Sequence, residues 1–400
     1  MNSVRSLSAR ARVNPRLVVR QALTVLAIVA LAVTSAYPQS REDVDVQRAR
    51  DTFLKERGPT RYYTKKWDLG DLPEYKPEQK VSGNIRIWGL NYLSDANLAQ
   101  YWEEGFRKYH PEARVSWYTP TALVAIPGLY TGLADLGASR HITYDELLTF
   151  QRIFYYHPLE ITMVTGSYDV PGWSNALAIV VHKDNPISKL TFKQLDGIFG
   201  AARDGGYEGT TWHPNRARGR EGNIRTWGQL GLTGEWKDKP IHVYGLNLKY
   251  HQQLHIEQKV FKGGTKWNED LREYSNYARA DGTLATAAAE LIKDLSQDRY
   301  GIAYSGIHNL TPQTKVLALA EQEGGPYVEL NLENVRNRTY PLHGEEYWYV
   351  NRRPGTPLDP KIKEFLRYVL SREGQDAVQR DAHYLPLTGE AVREQLKKLE

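Results

Sequence analysis

The sequence predicts an α/β protein built as two lobes. From Val81 onward, segments of strand character alternate with segments of helical periodicity, an order that builds mainly parallel sheets with ligand contacts at strand C-terminal ends. Beyond an N-terminal leader, roughly 360 residues remain, more than one hydrophobic core usually serves. Aromatic residues make up 11% of the chain, ample material for two cores.

Residues 1–36 read as a cleaved export signal. Arg5, Arg10, Arg12, Arg16 and Arg20 come without an acid, the apolar run Ala22 to Val33 follows, and Thr34-Ser35-Ala36 supplies the small residues a signal peptidase needs. The run is short for a bilayer span, which takes about 20 residues. With no cysteine in the chain, an N-terminal lipid on Cys, a disulfide, a thiolate metal site and a Cys nucleophile are all excluded. The expected product is free in a periplasm. Its basic charge belongs to the leader: the chain has 52 Lys and Arg against 47 Asp and Glu, and the five leader arginines account for the whole excess of +5. An isoelectric point of about 9.0 therefore gives no argument for nucleic acid.

Residues 37–81 form an N-terminal extension. Val44 to Glu56 suits one helix, and Arg61-Tyr-Tyr-Thr-Lys-Lys-Trp67 is a basic aromatic strip, either packed on a lobe or docking a partner. Next come a strand at Ile85–Gly89 and a helix over Asp95–Tyr109 with Leu98, Tyr101, Trp102 and Phe106 on one face. A strand at Ala113–Tyr118, a helix over Pro127–Leu133 and a strand at Ala134–Arg140 follow, then a buried-type strand at Leu177–His182. Ala202 to Arg225, rich in Gly and Arg and without periodicity, reads as a long exposed loop. An Ala-rich helix spans 284–297, with Thr283 as its cap. Tyr340 to Val350 is a strand of alternating aromatics. Pro357 and Asp359 then open an amphipathic helix carrying Ile362, Phe365, Leu366, Val369 and Leu370.

That last strand and helix, followed by Leu370-Ser-Arg-Glu-Gly-Gln375 and Tyr384-Leu-Pro-Leu387, closely resemble the C-terminal end of phosphate-type periplasmic substrate-binding proteins, the receptors of ABC importers. Further anchors are Leu133–Ser139, Val181–Ile187, Leu190–Phe199, Trp227 and Gly301–Tyr304, so the resemblance runs from about 82 to 390. It implies a type 2 binding-protein fold with a ligand cleft between lobes. Lobe one would be 82–176 plus 340–400 and lobe two 177–339, joined by strands near Leu177–His182 and Glu346–Val350.

In this family, backbone amides and hydroxyls at helix N-termini hold an oxyanion in a dry cleft. The resemblance carries those positions onto Asn91, Tyr92 and Ser94 in the first loop, Thr119 and Thr121 in the second, and Ser139 and Arg140 in the third. The fourth loop is not retained. Where phosphate binders have Arg-x-Asp-Gly-Ser-Gly-Thr, this chain has Gly245-Leu-Asn-Leu-Lys-Tyr-His251, with Asn247 for the Asp, Lys249 for the Ser and His251 for the Thr. Tyr92 and Tyr250 could flank a larger anion. The missing carboxylate matters, because protonated phosphate brings an O–H donor that needs an acceptor.

No catalytic set competes. The eleven histidines are scattered, and HExxH, G-x-S-x-G and Walker patterns are absent. His251 and His255 are spaced for one helix face, but without an evident third ligand, so neither metal nor cofactor is expected. Two readings remain. One is a monomeric solute-binding protein delivering phosphate or a related small oxyanion to an ABC permease. The other is a non-transport interaction or sensing module on the same fold with a decayed phosphate pocket.

Overall fold

The computed structural model describes residues 41–173 and 176–400, so the leader assigned to residues 1–36 lies outside the described residues. Its main strands are β1 (Gly83–Gly89), β2 (Ala113–Tyr118), β3 (Leu136–Ser139), β4 (Leu159–Thr165), β5 (Ala178–His182), β6 (His242–Leu246), β7 (Arg272–Tyr274), β8 (Gly301–Ser305), β9 (Thr314–Val316) and β10 (Glu345–Val350). They build two five-stranded sheets, in the orders β2-β1-β3-β10-β4 and β7-β6-β8-β5-β9. The two orders share one design. In the first sheet only β10 runs against the others, and in the second only β5 does. These reversed strands are where the chain enters the second sheet and where it returns to the first. Among the described residues no helix is long and apolar enough to cross a membrane.

The extension helix α1 runs over Arg41–Arg57. Behind it, Tyr63, Trp67, Leu69, Leu72 and Tyr75 are buried in the first lobe. The Tyr75 hydroxyl donates to Glu364 Oε2 and meets His110 Nε2, both at 2.6 Å. The basic aromatic strip thus packs its rings inward and leaves Arg61, Lys65 and Lys66 exposed.

The helix expected over Asp95–Tyr109 is broken into a turn at Tyr92–Asp95 and α2 (Leu98–Tyr109). The break has a cause: the Asn97 amide donates to Asp381 Oδ1 at 2.8 Å instead of continuing a helix. α2 buries Leu98, Ala99, Trp102, Gly105 and Phe106. Gly105 has no substitute, since a Cβ there would stand 1.8 Å from the Tyr368 hydroxyl. α3 (Ala125–Tyr130) starts and ends earlier than the Pro127–Leu133 expected from sequence, and α4 (Tyr144–Phe154) opens on a capping box between Thr143 and Glu146. A second capping box, Thr191 with Gln194, starts α5 (Phe192–Phe199) and accounts for the polar residues of that anchor. After β6 the chain turns into α6 (Gln252–His255), which widens into a π-helical turn at Ile256–Val260.

Two expectations need correction. The stretch 202–225 is exposed over much of its length, as expected, but it is anchored and carries a short hairpin rather than forming a plain loop. Arg203 Nη1 and Nη2 each donate to Asp196 at 2.7 Å, both side chains being buried, and the Nε of half-buried Arg218 adds a contact at 3.1 Å. Gly206–Glu208 and Thr211–His213 form a hairpin reaching the first lobe, with Tyr207 against Tyr144 and His157 against Thr210. Thr283 does not cap a helix. It closes a turn whose Arg279 amide donates to its carbonyl at 2.8 Å, and α7 (Ala287–Leu295) starts later, capped by Thr286.

At the C-terminus, Asp359 caps α8 (Pro360–Val369), Ser371 caps α9 (Arg372–Asp381) and Thr388 caps α10 (Gly389–Lys397). Buried Gln375 explains the conjunction of Gln375 with the later Leu387. Its Nε2 donates to the carbonyls of Met163 and Val369, and its Oε1 accepts the Leu387 amide at 2.8 Å. One side chain thus joins β4, the end of α8 and the closing segment.

Breaking a buried ion pair leaves an uncompensated charge, which costs about 3–5 kcal/mol. Arg203→Ala should therefore lower unfolding free energy in urea by about that much. A loss below about 1 kcal/mol would mean that the 202–225 segment is not anchored through Asp196.

Candidate functional site

The face between the two sheets carries two adjoining cavities, of about 560 and 130 Å³. Both are lined by Tyr92 from the first lobe, by Tyr250, His251, Gln252 and Asn276 from the second, and by Arg50 of α1. They form one cleft.

Its first-lobe wall is built at strand ends. β1 ends at Gly89, φ +141°, where a Cβ would lie 1.9 Å from the Ala138 carbonyl oxygen. The glycine lets the chain hug β3, with the Leu90 amide donating to that same carbonyl at 2.8 Å. Asn91 follows, its Nδ2 donating to Asp95 Oδ2 at 2.5 Å. Tyr92 stacks on Trp173, ring centroids 5.2 Å apart. Arg140 leaves the end of β3, where its carbonyl accepts the Tyr349 hydroxyl at 3.1 Å. Its neighbour His141 meets the Tyr347 hydroxyl at 2.8 Å.

The opposite wall is the turn after β6. Asn247 Oδ1 accepts the Lys249 amide at 2.9 Å while its Nδ2 donates to Ser275, an Asx turn that swings Lys249, Tyr250 and His251 onto the cleft. The Tyr250 hydroxyl accepts the Asn276 amide at 2.8 Å.

Asn91, Tyr92, Thr121, Arg140, Lys249, Tyr250 and His251 therefore line the cleft as expected from sequence. The other expected contacts do not. Thr119 donates to Ser94 at 2.9 Å, and Ser94 points to solvent, because the helix expected there breaks after Asp95. Ser139 is buried within β3, paired with Tyr347. Asn247 spends both ends of its amide on shaping the turn. Sequence reasoning missed Arg50, Gln252 and Asn276. Gln252 is the residue after His251, so extending the fourth loop by one position would have reached it; Arg50 lies outside the stretch of resemblance and had no signal.

The electrostatics are lopsided. Among the described residues Arg50, Arg140 and Lys249 enter no salt bridge, although Glu345 lines a small pocket with Arg140, and the Arg140 Nε is buried without a hydrogen-bond partner. Burial, reinforced by Arg140 and then Arg50, holds the His251 imidazole well below its usual value. His255 is lowered as strongly, by burial and then by His141 and Lys259. Both rings are neutral at neutral pH. Buried His255 Nδ1 and Gln252 Oε1 also lack partners, so the cleft offers acceptors as well as cations. Such an arrangement suits an anion that carries its own proton.

Nearby His343 is buried, and desolvation lowers its pKa from 6.5 to about 4, with Lys259 adding to the effect and Glu345 opposing it. Between those values the unfolded chain binds the proton and the folded chain does not, so this group's stability is complete above 6.5 and is lost as pH falls towards about 4. One such histidine contributes at most about 1.4 kcal/mol per pH unit. Urea melts of wild type and His343→Asn at about pH 7 and about pH 5 should show the shallower loss in the variant. Equal losses would mean that His343 is not held neutral.

A family model described as a PBP superfamily domain matches residues 76–373. The phosphate-binding proteins PstS of two Pseudomonas aeruginosa strains are each 35% identical over 329 residues, covering 82% of this chain and 90% of theirs. An ABC-type phosphate transport receptor of known structure from Vibrio cholerae aligns over 75% of this chain and 99% of its own, at 17% identity and a TM-score of 0.46. The match across most of the chain, set on two sheets of shared strand order facing one cleft, places the protein in the PBP superfamily, among the PstS-like two-lobed substrate-binding proteins.

Proposed function

We propose that the protein is a periplasmic solute-binding protein that captures phosphate or a related small oxyanion and delivers it to an ABC permease. The observation that carries this reading is Arg140, which lines the interlobe cleft with its buried Nε donor unspent. A buried donor left unspent is costly, and an oxyanion offsets that cost by accepting charge-assisted hydrogen bonds from the guanidinium. The name of the 35% identical relatives supports phosphate as the solute. Loss of the family carboxylate at Asn247 is compensated in this reading by Gln252 Oε1 and neutral imidazole nitrogen, which accept the proton that separates phosphate from sulfate.

The basic, acid-free leader supports export, and the absence of cysteine leaves no residue to acylate. The protein works as a monomer in this account. It performs no chemistry on the solute; lobe closure sequesters the anion and presents a shape the permease reads.

Calorimetry on the exported chain should give saturable binding of phosphate. Arg140→Ala should weaken it at least about tenfold, one charge-assisted bond being worth about 1.5–3 kcal/mol. Adding Lys249→Ala, whose ammonium is exposed and screened, should cost less than tenfold more. An Arg140→Ala variant binding as tightly as wild type would place the pocket elsewhere, and silence towards phosphate, sulfate and molybdate would remove the reading.

A further inference from the structure

Helix α1 lies across the mouth of the cleft and holds on to both lobes. Ala49 and Leu54 are buried. Leu54 and Phe53 press on Gly172, where a Cβ would come within 2.9 Å of the Leu54 methyl. The carbonyl of Arg57 faces His383 Nε2 at 3.4 Å on the first lobe. On the second, α1 packs against the two-stranded hairpin Tyr277–Ala278 and Leu284–Ala285. A solvated covering segment would need none of these fixings.

The fixings place one side chain. Arg50 is the cation of α1 that enters the cleft: it lines both cavities beside Tyr92 and acts on His251 together with Arg140. Tyr92 and His251 thus feel two guanidiniums that reach the cleft from different parts of the chain, Arg50 acting also on Asp95. The smaller cavity also meets the start of α7 at Thr286 and Ala287, where helix amides favour negative charge. Two arginines converging on one cleft form a clamp. A single Arg140 would leave the α1 side of an anion uncovered.

We infer that Arg50 contacts the bound anion directly, so that the N-terminal helix is part of the binding site and sets its affinity. The inference rests on the anion reading of the cleft. It also means that solute entry requires α1 to lift with one lobe, because the helix is fastened to both.

The test is calorimetry of inorganic phosphate with the exported chain carrying Arg50→Gln, Arg50→Lys or, as a control exposed on the same helix, Arg48→Gln. Arg50→Gln should weaken binding at least about tenfold, Arg50→Lys should recover part of that loss, and Arg48→Gln should bind as wild type. Melting temperatures and helical circular dichroism report whether each variant keeps α1, and the lysine variant retains both stem and charge should glutamine loosen the helix. Arg50→Gln binding within about twofold of wild type overturns the inference and leaves the anion reading standing. Equal weakening by Arg48→Gln and Arg50→Gln also overturns it, since the effect would then be long-range charge. A wild-type chain silent to phosphate, sulfate and molybdate overturns both.

Discussion

The antiparallel pairing of β10 between β3 and β4 is the constraint from which the cleft follows. β10 is the strand that runs against its sheet, and it is buried along nearly its whole length. Its register against β3 sets Tyr347 opposite Ser139 and Tyr349 opposite Gly137. From there the two hydroxyls reach His141 and the carbonyl of Arg140. The loop that supplies Arg140 to the cleft is thereby held by the strand that returns the chain from the second lobe. A one-residue slip would send these tyrosines to the other face and release Arg140.

Cations that enter no salt bridge among the described residues cost stability that the scaffold offsets elsewhere. Its own ionic groups are kept in closed sets: Asp196 with Arg203 and Arg218, and Glu345 with Arg338. The last of these acids, Glu345, stands at the cleft's edge, lining a small pocket with Arg140, His251 and His255. The cleft's histidines do not add to the positive charge, because burial keeps them neutral. The result is a wall with positive charge at a few points and neutral hydrogen-bonding atoms between them, a pattern that discriminates by proton as well as by charge.

Much of this was legible in the sequence, for identifiable reasons. Strands and capped helices announce themselves through local chemistry, as at Thr191 with Gln194 and at Asp359 with Pro360. The cleft residues that sit next to strand ends, Asn91 and Arg140 among them, follow from topology once the strands are placed. What stayed hidden depends on distant partners. Asn97 breaks a helix because Asp381 waits there, and Arg203 orders a Gly-rich segment because Asp196 does. Asn247 was read as a contact, yet its amide shapes the turn that points its neighbours inward. Arg50 was invisible because nothing in the local pattern of α1 says which of its arginines meets a cleft formed by residues far along the chain.

The account stands or falls on where an oxyanion binds. A crystal structure of the protein grown with phosphate tests this most directly. The account predicts tetrahedral density between Arg140 and the His251–Gln252 turn, with the Arg140 guanidinium donating to it. Phosphate found instead in the basic basin near Lys193, Arg216 and Lys262 of the second lobe, with the interlobe cleft holding only water, would contradict it.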